Sequence, residues 1–227
     1  MSKSAFLKRV SIFSGMDDGG LQKLETIVTE RTYTKKSIIF HEGDIGDSLY
    51  IIKAGRIKIA KVTLDGREKT LTIMQPGDFF GEMALFDNMP RSATAEVIEG
   101  SAQLYSISKT DFERLIHENP SIALKIMRDL TQRIRQVNQQ VEDLAFKDVH
   151  GRVATTLCQL AEKEGRPMGG RKVRIELKMT HQDIASMVGS SRETVTRALN
   201  RFQERGIISI EHQHVTILKP RELEEWT

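Results

Sequence analysis

The spacing of apolar positions changes twice along the chain. Across residues 35–105 short runs alternate apolar with polar residues (SIIF, SLYIIKAG, IKIAKVT, KTLTIM, ATAEV and AQLYSI), and Gly43, Gly46, Gly55, Gly66, Gly77 and Gly81 punctuate them. A period of two broken by glycine turns predicts short antiparallel strands, and so many in succession predict a roll, jelly roll or sandwich. The stretch before them, residues 6–28, is expected to be helical and to pack on one end of that sheet.

A helical texture follows. Ser108-Lys-Thr-Asp111 has the form of a capping box opening a short helix. Pro120 suits the first turn of a longer helix, with Asn119 ahead of it as a cap. In that helix Ala123, Met127, Leu130, Ile134, Val137, Val141 and Leu144 recur at alternating spacings of four and three, an a/d stripe. So narrow a stripe suits a single partner helix, and no second helix of this kind is found in the sequence. A parallel homodimer through residues 121–145 is therefore predicted, the alternative being a helix that lies on its own roll.

The third texture begins near Lys147. An amphipathic helix over residues 149–163 leads to a Gly/Arg/Pro loop, EGRPMGGRK, a short strand, VRIEL, and then THQDIASMVGSSRETVTRALNRFQERG and IISIEHQHVTIL. Thr180-His-Gln-Asp183 opens a short helix with Ile184, Ala185 and Val188 on its apolar face, and Gly189 stops it. Ser190-Ser-Arg-Glu193 has the pattern of a second box, opening a longer helix that Gly206 closes after Arg205. Two capped helices about a short glycine-containing turn make a helix-turn-helix, and the apolar hairpin behind it would be a wing. The longer helix buries Val195, Leu199 and Phe202 and presents Arg192, Glu193, Arg197, Arg201 and Arg205. Its first turn is where a recognition helix meets base edges. Arginine can donate a bidentate pair to guanine and glutamate can accept from cytosine. Ser191 and Thr194 suit phosphate oxygens. Arg201 and Arg205 are equally compatible with an ordinary solvated face.

Composition narrows the class. Hydrophobic residues make up 39% and charged residues 29%, as in soluble globular proteins. No apolar run approaches the ~20 residues of a membrane span, and the start, MSKSAFLKRVSIFSG, lacks the apolar core and cleavage site of a secretory signal. The lone cysteine, Cys158, excludes an internal disulfide or a multi-thiolate metal site, and its place on the apolar side of a helix suits a small buried group rather than a nucleophile. A cytoplasmic protein with no membrane partner is expected. Residues 1–146 carry 20 Lys/Arg and 20 Asp/Glu, so the whole net charge of +3 lies in residues 147–227, where a phosphate-binding surface needs it.

The densest cluster of chemistry is Phe80-Gly-Glu-Met-Ala-Leu-Phe-Asp-Asn-Met-Pro-Arg-Ser-Ala-Thr-Ala95. Gly81 permits a sharp reversal, and residues 82–86 can then form one helical turn with free N–H groups. Arg91 and Ser92 return beside it, so a guanidinium, a hydroxyl and a helix terminus converge as a phosphate cradle. Glu82 would accept from a ribose hydroxyl; the alternative is an Arg91–Glu82 ion pair closing a loop.

GEMALFDNMPRSATA resembles the phosphate-binding cassette of cyclic-nucleotide-binding domains, and SSRETVTRAL with AFKDVHGRVA resembles the cyclic-AMP receptor protein branch of the Crp/Fnr regulators. The likeness spans essentially the whole chain. It implies an α+β fold: an amino-terminal antiparallel β-roll of the cyclic-nucleotide-binding, jelly-roll type (residues 1–118), a long dimerisation helix (119–146) and a carboxyl-terminal winged helix-turn-helix (147–227). By the same resemblance, Glu82 holds the ribose, Arg91 and Ser92 hold the cyclic phosphate, and main-chain N–H groups near Gly81, Met83 and Ala93 assist. Arg192, Glu193 and Arg197 match base-reading positions for a TGTGA-like palindrome. Where the family places a Thr-Ser pair against the adenine, this chain has Val137 and Asn138, so only the Asn138 amide remains to read a purine edge. Cyclic AMP is the first expectation as effector and cyclic GMP the second, with no resident cofactor, no metal and no enzymatic activity. RNA polymerase is an implied partner.

Other members of the superfamily sense redox, haem or non-nucleotide effectors. An iron–sulfur sensor needs amino-terminal cysteines that are absent here. His41 is the only histidine within the strand-rich run 35–105 and suits a surface group better than a haem axial ligand, and the several clustered histidines that a cupin-type metal site calls for are absent. His212 and His214 suit solvent or phosphate. A regulator of the same architecture with a non-nucleotide effector, or with none, is the surviving alternative.

Overall fold

In the computed structural model, which describes residues 2–227, the alternating runs become a six-stranded sheet. Its members are β1 (Thr29–Thr34), β2 (Ile38–Phe40), β3 (Ser48–Val62), β4 (Glu68–Met74), β5 (Phe79–Phe80) and β6 (Thr94–Ser108). Four of the runs are halves of two long strands: SLYIIKAG continues into IKIAKVT as β3, and ATAEV into AQLYSI as β6. Register shifts between Ile52 and Ile57 bend the pair without ending it. β6 pairs antiparallel with β1, β2 and β3, and β5 pairs antiparallel with β3.

The pleat of β3 and β6 feeds two cores. Leu49, Ile51, Tyr105 and Ile107 face one cluster, whereas Tyr50, Ile52 and Leu104 face another inside the roll with Ile57, Phe80 and Val97. Strands buried on both faces are the reason these runs are so apolar. The first cluster is closed by helices: α1 (Lys3–Leu7), a 3-10 turn at Ser11–Phe13, α2 (Asp18–Ile27), and beyond the roll α4 (Lys109–Glu118) and the start of α5 (Ser121–Phe146). Residues 6–28 are thus three short pieces rather than one helix. Between β5 and β6 lies α3 (Met83–Asp87).

Ser108 caps α4 by accepting from the Asp111 N–H. Asn119 does not cap α5; its side-chain amide turns back to the Leu115 carbonyl. Ile122 and Ile126 of α5 are fully buried against the roll and Leu130 packs beside them. Met127, Ile134, Val137, Val141 and Leu144 stay exposed. The apolar positions of α5 therefore form two stripes, one against the chain's own roll and one open.

The remaining elements are α6 (Val149–Glu164), β7 (Gly165–Pro167), β8 (Val173–Ile175), α7 (His181–Val188), α8 (Arg192–Glu204), β9 (Ile208–Glu211), β10 (His214–Ile217) and α9 (Pro220–Glu224). The strands form a sheet in the order β7-β8-β10-β9, and Leu157, Ile184, Val195, Leu199, Phe202 and Val215 are fully buried. His212 and Gln213 turn the β9–β10 hairpin, both with positive φ, as a two-residue turn that follows the strand twist requires. The chain divides into two compact units, residues up to Gly66 with Thr70–Ile134, and Arg67–Lys69 with Arg135–Thr227, so the division falls within α5.

Candidate ligand cradle and nucleic-acid interface

The cradle is built where β5 ends. Gly81 reverses the chain with φ +83°, and a Cβ there would lie 2.6 Å from an Arg91 guanidinium nitrogen, so only glycine leaves Arg91 its place. Glu82 then precedes α3 at its amino-terminal cap position, and Asn88, in the left-handed conformation, ends it. The return segment is pinned by main-chain bonds: the Arg91 N–H donates to Asp44 O (2.8 Å) and the Gly43 N–H to Arg91 O (2.9 Å).

Arg91 is only 4% exposed. Its Nη1 donates to Gly81 O (2.6 Å) and Nη2 to Ser48 O (2.8 Å), while the guanidinium lies 4.3 Å from the centre of the Phe40 ring. Two carbonyls and an aromatic face thus hold it rigidly. Its Nε is buried with no hydrogen-bond partner among the described residues. Burial draws the guanidinium below its usual pKa, with Tyr50, Asp47, Glu82 and Asp44 pulling the other way. Arginine has so far to fall that it stays a cation at neutrality. A cavity of about 100 Å³ opens beside it, lined among others by Gly81, Glu82, Met83, Arg91, Ser92 and Ala93. That is several times the roughly 10–15 Å³ one water needs. A guanidinium, a hydroxyl and the first turn of a short helix lining such a space fit a small anion.

Glu82, 3% exposed, does not pair with Arg91. Its carboxylate meets Arg133 Nη1 at 3.2 Å; Arg133 also donates to Phe79 O (2.7 Å), approaches Asp129 (2.6 Å) and stacks 4.7 Å over the Phe79 ring. The ion-pair alternative for the loop is thus not what forms. Burial pushes the Glu82 carboxyl up, and Arg133 pulls it back. Arg133 is a site residue that sequence reasoning missed. Its only signal was a cation four residues after Asp129, beside the inward-facing stripe Ile122–Ile126–Leu130.

Gly46 supports the same geometry from the facing loop. A Cβ on it would stand 2.4 Å from the Ala84 Cβ and 3.1 Å from the Arg91 guanidinium carbon. Gly46→Ala is expected to displace α3 and weaken ligand capture by about tenfold, a cost of the size seen on overpacking. Ala84→Gly in the same chain should restore most of the loss. Calorimetry on the single and double variants checks it, and equal losses in both would contradict it.

In the second unit Thr180 and Asp183 cap α7 reciprocally, and Gly189 ends it. The cap of α8 is Ser191 rather than Ser190: Ser191 Oγ accepts from the Thr194 N–H at 3.2 Å. The Ser190 N–H is already committed to Ala185 O across the turn (3.1 Å), which puts Ser190 in the connection. Arg192, Glu193 and Arg197 are exposed on the first two turns, and Thr194 receives a bond from Arg197 (3.1 Å). Its own main-chain N–H and the Ser191 hydroxyl hold the Glu193 carboxyl below the usual carboxylate range. Arg201 and Arg205 differ from these three. Both stack 5.2 Å over the Trp226 ring, which also packs edge-on against Phe202. They are engaged by the chain's own carboxyl terminus.

Val137 and Asn138 are exposed on α5. The Cys158 thiol is pushed up to about 11 by burial, as a packing role requires. His41 is exposed. His214 is not a solvent group, since its Nδ1 lies 3.2 Å from Ile175 O. Among the described residues no cluster of three or more metal-binding side chains occurs, and no helix is long and apolar enough to cross a membrane.

The cyclic nucleotide-binding domain family matches residues 30–119, and the Crp-like helix-turn-helix domain family matches residues 151–226. The chain is 39% identical over 211 residues to the CRP-like cAMP-activated global transcriptional regulator of Mycobacterium tuberculosis (strain ATCC 25618 / H37Rv), covering 93% of each. It is 34% identical to the cAMP-activated global transcriptional regulator CRP of Pasteurella multocida (strain Pm70), over 83% of this chain and 90% of that one. The solved structure of the c-di-GMP responsive global regulator CLP of Xanthomonas campestris is similar with a TM-score of 0.77 and 26% identity, over 88% of this chain and 99% of that one. With a roll that carries the cassette, a capped helix-turn-helix and relatives that are regulators throughout, the chain belongs to the Crp/Fnr family of DNA-binding transcription regulators.

Proposed function

We propose that the protein is a homodimeric regulator that binds cyclic AMP, with cyclic GMP the second choice, and in response binds a palindromic TGTGA-like site. The observation that carries the proposal is Arg91: a cation, held by two main-chain carbonyls and an aromatic face, that lines a cavity together with Glu82, Met83 and Ser92. In this reading Arg91 and Ser92 take the cyclic phosphate, aided by main-chain N–H groups at Gly81, Met83 and Ala93. Glu82, braced by Arg133, accepts from the ribose, and Asn138 meets the base. Residues 1–118 are the sensor, 119–146 the dimer helix and 147–227 the DNA-binding unit.

Dimerisation uses the open stripe of α5, five exposed apolar side chains that a second copy would cover. α5 ends at Phe146 and α6 begins at Val149, with Asp148 capping α6, and the hinge of this reading lies around residues 144–148. Ligand binding shifts an existing equilibrium about that hinge and sets two α8 helices in successive major grooves, ~10 bp apart. RNA polymerase is the expected further partner. The same architecture with another effector is the second reading. It is favoured by Val137 and Asn138, which leave little to define the base, and by the effector named for the Xanthomonas campestris relative.

Calorimetry of the purified protein with cyclic AMP and cyclic GMP tests the sensor claim: heat with one of them is expected, and none with either defeats it. For DNA, Arg192→Ala should relax base preference at one position of each half-site and cost about 1–3 kcal/mol. Equal weakening on all sequences, measured by competition binding, would make Arg192 a phosphate contact only.

A further inference from the structure

In the cradle a thioether with no part in holding an anion occupies a hydroxyl that does. Ser92 Oγ donates to the thioether of Met83 at 3.5 Å. Met83 is the first residue of α3, lines the cavity and is 51% exposed, so it is open to solvent and not part of the core. The other exposed methionines, Met89, Met127 and Met168, do not line that cavity. Met16, Met74 and Met179 are buried.

From this juxtaposition we infer that Met83 is an oxidation site through which peroxides weaken ligand capture. The inference rests on the cradle's being an anion site. In the reaction the sulfur lone pair attacks one oxygen of hydrogen peroxide. An S–O bond forms as the O–O bond breaks, the departing hydroxide takes up the proton of the transferred oxygen, and the products are methionine sulfoxide and water. Sulfur is oxidised by two electrons and peroxide is reduced. A thioether is a weak acceptor that Ser92 leaves readily for a phosphate. A sulfoxide oxygen is a strong one. It would keep the Ser92 hydroxyl and place partial negative charge in the anion's space. Because Met83 is half in solvent, the roll stays folded, and enzymatic reduction of the sulfoxide reverses the change.

The test is calorimetry with cyclic AMP and cyclic GMP on the full-length protein before and after dilute hydrogen peroxide, with peptide mass spectrometry to locate the added oxygen. In the natural protein peroxide should lower affinity by about tenfold, the loss of one hydrogen bond, and methionine sulfoxide reductase should restore it. In Met83→Leu the treated-to-untreated ratio should be close to one, whatever its starting affinity. A triple variant (Met89→Leu, Met127→Leu, Met168→Leu) should keep the full effect. Met83→Gln, which carries a permanent amide oxygen, should bind weakly without oxidant. Unchanged affinity in a protein with Met83 oxidised, or an equal loss in Met83→Leu, overturns the inference and leaves the proposed function standing. A protein that binds neither nucleotide before treatment refutes both.

Discussion

Arg91→Ala is expected to lower cyclic-nucleotide affinity by roughly 10²–10³-fold, the about 3–4 kcal/mol lost when one partner of a buried charge-assisted contact is removed. The loss should exceed that for Ser92→Ala, since the hydroxyl is a neutral donor supplying one bond to the phosphate, worth about 1.5–3 kcal/mol. Arg91 also satisfies two buried carbonyls, Gly81 O and Ser48 O. The roll should therefore be less stable by about 1–3 kcal/mol as well. Arg91→Lys separates the two roles. It keeps a cation, yet a point charge cannot bond both carbonyls and still present a further N–H in the plane, so ligand affinity should fall most of the way to the alanine value. Calorimetry and thermal unfolding of the same samples check this. The dimer is expected to stay intact in sedimentation, and loss of dimerisation with nucleotide binding retained would mean that Arg91 is only a structural tie.

Ile134→Glu combined with Val141→Glu should convert the protein to monomers. Both side chains lie on the open stripe of α5, one heptad apart, and a parallel dimer would bury four carboxylates without partners. With several kcal/mol for each desolvated charge, the dimer dissociation constant should rise by at least about 10³-fold. Palindromic DNA affinity should then fall to that of a single half-site. Each roll should keep its fold, because its α5 contacts, the apolar Ile122, Ile126 and Leu130 and the cation Arg133, are left in place. Leu130→Glu is the contrast: it should destabilise the roll. Sedimentation and circular dichroism distinguish the two, and a double variant that remains dimeric would place the dimer contact elsewhere.

Local pattern carried most of the architecture. The alternation in SLYIIKAG and AQLYSI, the cap at Thr180 and Asp183 and the glycine after Val188 each depend on a few neighbouring residues, and each is found in place. What escaped was what pattern leaves degenerate. Ser190 and Ser191 each stand three residues before a plausible partner, and only the bond from the Ser190 N–H to Ala185 O decides which is the cap. Leu130 lies on the heptad stripe and also packs, partly buried, against the roll's core, because a helix touched on two sides carries two stripes that overlap in sequence. Arg133 is 51 residues from Glu82, and nothing local marks it as that carboxylate's partner. Arg201 and Arg205 looked like open cations until Trp226, more than twenty residues away, was found under both.

In the proposed switch an anion at Arg91 governs how the DNA-reading helices are presented. Its most direct test is a titration of the purified protein with cyclic AMP, and separately cyclic GMP, while binding to a labelled TGTGA palindrome is followed at fixed salt. Binding should be weak without nucleotide, rise saturably by at least about tenfold with one of the two, and show no rise in Arg91→Ala. Tight, palindrome-specific binding that neither nucleotide alters, and that Arg91→Ala leaves unchanged, would contradict the switch.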